Sequence, residues 1–178
     1  TIGGSIVHGD PSAELPMAAL ALDATMILRT VSCETEIAID GFFEAAMVTN
    51  IEPEQLLTEI RIPVWQDERI GTSFHETSSR QGDYAIVAAA AQIALAEDGT
   101  VAKAAISVGG AAPSPVKLFA FEAALIGKPA NDLDAVISLV DEEIDPETDV
   151  HASEAYRRRV TRKLVSRAVG DAIAEAAI

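Results

Sequence analysis

The first residues of this chain with chemical potential are two adjacent glycines flanked by hydroxyl side chains, Thr1-Ile2-Gly3-Gly4-Ser5. Glycines leave backbone N–H groups bare, so such a turn-like stretch can approach an anion closely, as phosphate-cradling loops do. On its own the signal is weak, and an ordinary Gly-Gly turn is the better reading of it. The three histidines, His8, His75 and His151, have no partner at helical spacing, which argues against a histidine metal site and for surface or hydrogen-bonding roles. Ser5, His8 and Asp10 do not sit on a Gly-x-Ser-x-Gly nucleophile elbow, so a hydrolase triad is a poor reading. Cys33 is the single cysteine, which leaves no internal disulfide, no cysteine-built zinc site and no iron–sulfur cluster held by this chain alone. Any redox chemistry must be carried by a cofactor.

Composition narrows the classes further. The 178 residues suffice for one average domain or two small ones with a real core. Thirteen basic against 28 acidic side chains give a net charge of −15, with pI near 4.4, a field that repels nucleic acid and anionic membranes. Hydrophobic residues make up 49% and aromatics only 4%, so the core is to be packed from small aliphatic side chains. The longest apolar run, Tyr84 to Ala96, is interrupted by Gln92 and is too short for a membrane span. The chain opens without a methionine or a charged-then-apolar leader, which suggests a processed or truncated polypeptide.

The elements that must position these residues follow from pattern. Pro16 opens a short helix, Met26 to Leu28 form a strand, and a second extended segment surrounds Ile37 to Ile39. Asn50 to Glu54, with Pro53, read as the cap and first turn of another helix, and Leu57 to Pro63 as a strand with one wet face. Tyr84 to Ala96 and Val101 to Val108 flank Asp98-Gly99, the signature of a hairpin closed by a type I′ turn. Gly71 to Ser79 supply a third antiparallel strand. Helices are expected over Val116 to Ile126, over Leu133 to Ile144, and from a Ser153 cap onward, where Val160, Leu164, Ala168 and Ala172 form a stripe. The composition shift near Pro63 to Gly71 marks the candidate boundary. The fold class is therefore α+β: a mixed sheet with helices over residues 1–63, then a domain over 64–178 with a three-stranded antiparallel sheet at 71–108 and a helical bundle at 115–178.

Several landmarks in order carry a resemblance. Thr1-Ile2-Gly3-Gly4-Ser5-Ile6 is followed by Asp10-Pro11-Ser12-Ala13-Glu14-Leu15-Pro16, then Phe42-Phe43, Leu56-Leu57, Ile60-Arg61-Ile62-Pro63, and Phe74-His75-Glu76 leading into Arg80-Gln81-Gly82-Asp83-Tyr84-Ala85. Ile106 to Pro113 and Asp149 to Arg158 complete the series. Together they resemble the FAD-binding medium subunit of the molybdenum hydroxylases, the xanthine dehydrogenase and carbon monoxide dehydrogenase flavoprotein family, over essentially the whole chain but without the preceding FAD subdomain. The resemblance implies that Thr1, Ile2, Gly3, Gly4 and Ser5 hold the FAD pyrophosphate and adjoining ribityl region. It further implies that Glu14 is an acidic FAD contact and that the main chain of Leu57 meets the flavin. Position 75, often lysine near the isoalloxazine, is His75, an imidazole able to donate a hydrogen bond.

The same resemblance implies an electron-transfer component. Substrate is oxidised at a molybdopterin centre on a large subunit, electrons pass through two [2Fe–2S] clusters on a small subunit, and FAD delivers them to an external acceptor: NAD, oxygen or a quinone. A further chain or segment would supply the N-terminal FAD half-site, and the location expected is cytoplasmic. No side chain is then catalytic, and no metal is bound by this chain. Two other classes stay open at this level: a stand-alone flavin oxidase, and a non-catalytic assembly module without flavin. Six of the thirteen basic residues, Arg157, Arg158, Arg159, Arg162, Lys163 and Arg167, gather on the last helix, where they can pair with Asp141 to Glu143 or with a neighbouring subunit. Glu76, Arg80 and Asp83 suggest a local polar network, and Trp65 a residue packed near the domain junction.

Overall fold

A computed structural model describes residues 1–80, 82–129 and 132–178. Gln81, within the Arg80 to Ala85 run, lies outside the described residues. The architecture is α+β, with two principal antiparallel sheets.

The first sheet has β1 (Thr25–Arg29) at its centre, between β2 (Glu34–Ala38) and β5 (Leu56–Arg61). Met26, Ile27 and Leu28 are all fully buried, since the central strand is covered on both faces, whereas β2 and β5 are wet at most positions. Two short strands, β3 (Phe43–Ala45) and β4 (Val48–Thr49), make a separate hairpin. Helices α1 (Ile2–His8) and α2 (Glu14–Ala21) pack Ile6 and Leu20 onto Met26, Leu28 and Phe42. Pro16 sits in the first turn of α2, where its missing N–H costs nothing.

The second sheet runs in the order β6 (Ile70–Ser78), β7 (Ala85–Leu95), β8 (Val101–Gly109), β9 (Val116–Lys117). Strand β7 is buried on both faces. Val87, Ala89, Ala91 and Ile93 face the long helix α5 (Glu154–Ala176), and Ala88 and Ala90 face Met17 and Ala21 of α2. This double burial is why its sequence is an unbroken run of small apolar residues rather than an alternation. Alanine lets helices approach both sides, and Gly71 of β6 goes further: a Cβ there would fall on the carbonyl oxygen of Ala172 in α5. Trp65, in the connection between the sheets, packs on Ala94 and Ala105, with Lys103 Nζ 4.0 Å from its ring centroid.

Several expectations are corrected. Thr1 to Ser5 is not a turn but the cap and first turn of α1, with Thr1 Oγ1 accepting from Gly4 N at 3.1 Å. Asn50 to Glu54 form no helix; the segment is turn and irregular structure, with Gln55 Oε1 accepting from Glu52 N at 2.9 Å. The hairpin forms where expected, but its turn is a three-residue loop. Ala96 O accepts from Gly99 N, Ala96 N donates to Thr100 O, and only Gly99 (φ 82°) has positive φ, whereas a type I′ turn needs it at Asp98 as well. The sheet has four strands, not three, because Val116 and Lys117 pair with Val108 and Ser107. The helix expected from Val116 therefore begins later, as α3 (Phe119–Leu125). The helix expected over Leu133 to Ile144 is broken into a turn, a 3₁₀ turn (Ile137–Leu139) and the single-turn α4 (Val140–Glu143). At the end of α4 the Glu143 carboxylate accepts from Ala120 N and Phe121 N at 2.8 and 2.9 Å, and so caps α3.

Candidate functional site

Helix α1 begins at the Gly-Gly pair. Thr1 caps it by accepting from Gly4 N, and Thr1 O accepts from Ser5 N, so within this turn the N–H groups of Ile2 and Gly3 are left for a ligand. The dipole of the turn favours an anion at this end. Glycine is needed at position 4, since a Cβ would stand 2.9 Å from Thr1 Oγ1, the capping atom itself. At Gly3 a Cβ would come 3.9 Å from Leu57 Cδ2, which shows that β5 lies directly against this turn. Gly9 (φ 64°) ends the helix, and Gly9 O accepts from Met47 N at 3.0 Å, tying α1 to the β3–β4 hairpin.

The structure thus brings Thr1, Ile2, Gly3, Gly4 and Ser5 together with Leu57. Glu14 is the first residue of α2, which packs against α1. His75 stands on another sheet: its Nε2 lies 2.7 Å from Asp171 Oδ2 of α5, so its ring is turned to the helix that covers the far face of the second sheet. His8 is exposed at the end of α1, and Asp10 accepts from Ser12 N at 2.8 Å in a local turn, so Ser5, His8 and Asp10 form no relay. Among the described residues, Glu76, Arg80 and Asp83 make no side-chain hydrogen bond with one another. No group of three or more metal-ligating side chains is found among the described residues, and no helix there is long and apolar enough to cross a membrane.

Sequence reasoning missed the buried anchor of this region. The Arg157 guanidinium, 8% exposed, donates to Ile86 O (2.5 Å), Gly110 O (2.8 Å) and Asp149 Oδ2 (2.7 Å). It lies under a cleft of ≈ 470 Å³ whose walls include Asp10, Asp83, Tyr84 and Asp149. Partial burial pushes the Asp149 carboxyl upward, but the N–H groups of Ala152 and His151 and the Arg157 guanidinium outweigh it and hold the group down at about 2. The sequence signal was only one arginine among six basic residues on α5. The other basic residues behave partly as expected: Arg162 pairs with Asp141 at 2.7 Å, and Arg158 with Glu154 at 2.8 Å. Glu122 is a buried acid on α3 that accepts from Ile106 N at 2.7 Å. Desolvation drives its pKa up to about 7, opposed by that N–H and by Lys117.

A helix start with two bare N–H groups, hydroxyls on both sides and an apolar wall at Leu57 fits the diphosphate of a dinucleotide cofactor. Residues 1–65 match the model of the FAD binding domain in molybdopterin dehydrogenase, and residues 72–172 that of the CO dehydrogenase flavoprotein C-terminal domain. The chain belongs to the family of FAD-binding flavoprotein subunits of molybdopterin-dependent dehydrogenases.

Among individual proteins, the chain is 34% identical to the 6-hydroxypseudooxynicotine dehydrogenase complex subunit alpha of Paenarthrobacter nicotinovorans, over 97% of this chain and 59% of that protein. It is 33% identical to the carbon monoxide dehydrogenase medium chain of Afipia carboxidovorans, over 99% of this chain and 61% of that one. It superposes with a TM-score of 0.93 on reconstituted CO dehydrogenase from Oligotropha carboxidovorans, at 29% identity, covering 98% of this chain and 61% of that chain. The corresponding score for quinoline 2-oxidoreductase from Pseudomonas putida 86 is 0.90, at 26% identity. The chain spans about three-fifths of the length of the relatives it matches.

Proposed function

We propose that this chain is the FAD-holding and docking part of the flavoprotein subunit of a multi-subunit molybdenum hydroxylase, located in the cytoplasm. In this reading residues 1–63 are the second FAD-binding subdomain and residues 64–178 the subunit's C-terminal domain. The supporting observation is the start of α1, where Thr1 caps the helix, the N–H groups of Ile2 and Gly3 are left free within the turn, and Gly3 lies against Leu57. When bound, FAD supplies two-electron chemistry that can be divided into single-electron steps. The chain's own residues bind and orient. The α1 N-terminus would take the diphosphate and the Leu57 main chain would meet the flavin; Glu14 and His75 are the polar groups that the family pattern assigns to it, His75 being engaged with Asp171 of α5 in this structure. The partners proposed are a molybdopterin-binding large subunit, a small subunit with [2Fe–2S] clusters, and a segment completing the FAD site.

The experiment that tests this is quantitation of FAD released on denaturing the natively purified assembly, with every co-purifying chain identified by mass. One FAD per copy of this chain, together with molybdenum and iron–sulfur subunits, is the expected result. An intact assembly without flavin refutes it. The substitution Gly3→Asp sharpens the test: the Cβ meets only Leu57 Cδ2 at 3.9 Å, so the fold is kept, while a carboxylate is placed where the diphosphate binds. FAD affinity should fall by about tenfold or more.

A further inference from the structure

Arg157 holds two carbonyls that lie beside the turn leading into α2. Its Nη1 donates to Ile86 O at 2.5 Å and to Gly110 O at 2.8 Å, so two oxygens that would otherwise repel converge on one nitrogen. Gly110 is closely confined there: its φ is 71°, and a Cβ on it would stand 2.3 Å from Ile86 O. The N–H of the same residue donates to Pro11 O at 2.7 Å. A path one residue long therefore runs from the guanidinium, through Gly110, to the connection between α1 and α2.

That connection depends on this contact. Asp10 to Ala13 form one compact turn, closed by Ala13 N donating to Asp10 O at 3.1 Å and Ser12 N donating to Asp10 Oδ1 at 2.8 Å. Open clefts undercut it on two sides, one of ≈ 470 Å³ lined by Asp10 and Ser12 and one of ≈ 400 Å³ lined by Pro11 and Ser12, and Arg157 lines both. Among the described residues, the bond from Gly110 N to Pro11 O is the only hydrogen bond that joins this turn to the second sheet. Further along, Ser107 Oγ donates to Met17 O at 2.7 Å, and Lys117 pairs with Asp23 just past the end of α2, so the rest of the helix is fastened independently. What the Gly110 bond sets is the place of the first turn of α2, which begins at Glu14.

We infer that Arg157 is a positioning residue for the FAD site: by holding Gly110 against Ile86 it fixes Pro11 O, and through the turn it fixes the place from which Glu14 meets the cofactor. The inference rests on the FAD reading above and deepens it. Without the guanidinium the Ile86 and Gly110 carbonyls repel each other and Gly110 withdraws. The turn is closed by its own two hydrogen bonds, so it follows as a unit and carries Glu14 with it. The site then loses affinity although every group that touches FAD is still present, as happens when the support behind a binding residue is removed.

The test uses the native assembly, freed of flavin with potassium bromide and titrated with FAD well below its melting temperature. Arg157→Lys keeps a cation but not the planar fork that holds both carbonyls, and should raise the FAD dissociation constant about tenfold. Leu125→Ala removes a buried side chain of α3 that makes no bond to Arg157, Gly110 or Pro11; it should destabilise the fold comparably and leave FAD affinity unchanged. Glu14→Ala should weaken FAD binding by itself, and Arg157→Lys added to it should cost nothing further, because the arginine acts through that position. Hydrogen exchange should show the Gly110 amide exchanging about tenfold faster in Arg157→Lys. The inference is overturned if Arg157→Lys binds FAD as tightly as the unaltered assembly, if its effect adds in full to that of Glu14→Ala, or if Leu125→Ala weakens FAD as much. An unaltered assembly that takes up no FAD overturns the FAD reading and the inference with it, whereas equal FAD binding by the unaltered and Arg157→Lys assemblies overturns the inference alone.

Discussion

Arg157 gives the sharpest test of how the chain is held together. Its guanidinium spans three acceptors, Ile86 O at the start of β7, Gly110 O after β8, and Asp149 Oδ2 before α5. Replacing it with alanine leaves two backbone carbonyls unpaired in a buried place, at about 1–3 kcal/mol each. The Asp149 side chain is 45% exposed and rehydrates, so it adds little. The sum is about 2–6 kcal/mol, a span centred on the about 3–5 kcal/mol for removing one partner of a buried charged pair. For a chain of this length that lowers the melting temperature by about 10 °C. Urea unfolding at pH 7, followed by far-ultraviolet circular dichroism, reads the difference directly. Arg157→Met, which restores the apolar stem, should lose nearly as much as alanine. Arg157→Lys should recover less than half, because a single ammonium cannot reproduce the planar fork. A cost below about 1 kcal/mol for Arg157→Ala refutes the reasoning, since that is the effect of an ordinary surface change.

Other expectations concern pH and close packing. The Asp149 carboxyl is held at about 2 in the fold, below the ordinary 3.8, so its contribution to stability is present above about pH 4 and lost as pH falls towards 2. Asp149→Asn should flatten that part of an acid-unfolding curve. Glu122 is shifted the other way, from 4.5 to about 7. Its protonated form favours the fold, so the contribution is full below about pH 4.5 and lost as pH rises through 7. Glu122→Gln keeps an acceptor for Ile106 N and should match the unaltered chain at pH 5 while exceeding it in melting temperature at pH 8. Gly71→Ala should destabilise by about 2 kcal/mol or more, because a methyl group there meets the Ala172 carbonyl and α5 must lift from β6; a melting temperature within about 2 °C of the parent would show that the helix gives way freely.

Much of the fold was legible in local pattern. Asp98-Gly99 marked the hairpin, Ser153 marked the start of α5, whose Tyr156 N–H it accepts at 3.3 Å, and the spacing of Leu164, Ala168 and Ala172 marked the buried stripe. These signals are readable because each rests on residues within one turn or one face of a single element. Ile2 to Ser5 were not legible as a helix, since two glycines weaken helix propensity and only the Thr1 cap and the contacts of Ile6 with Met26 and Phe42 overcome it. The Leu133 to Ile144 periodicity misled in the opposite direction. Val136, Val140 and Ile144 are buried as the spacing demands and Leu133 and Ile137 half-buried, but the segment is broken into short turns and Glu143 caps α3.

The amino-acid sequence by itself determined the class of elements and that a lone Cys33 can close no disulfide among these residues, because these depend on residue type and near-neighbour spacing. Only the tertiary structure decided that Leu57 closes on Gly3, that His75 turns to Asp171, that Arg157 is a buried anchor and that Gln92 is left without a partner. Each of those depends on which residues distant in the chain share a sheet face or a helix contact. Such neighbours are set by the packing of whole elements, which no local periodicity encodes.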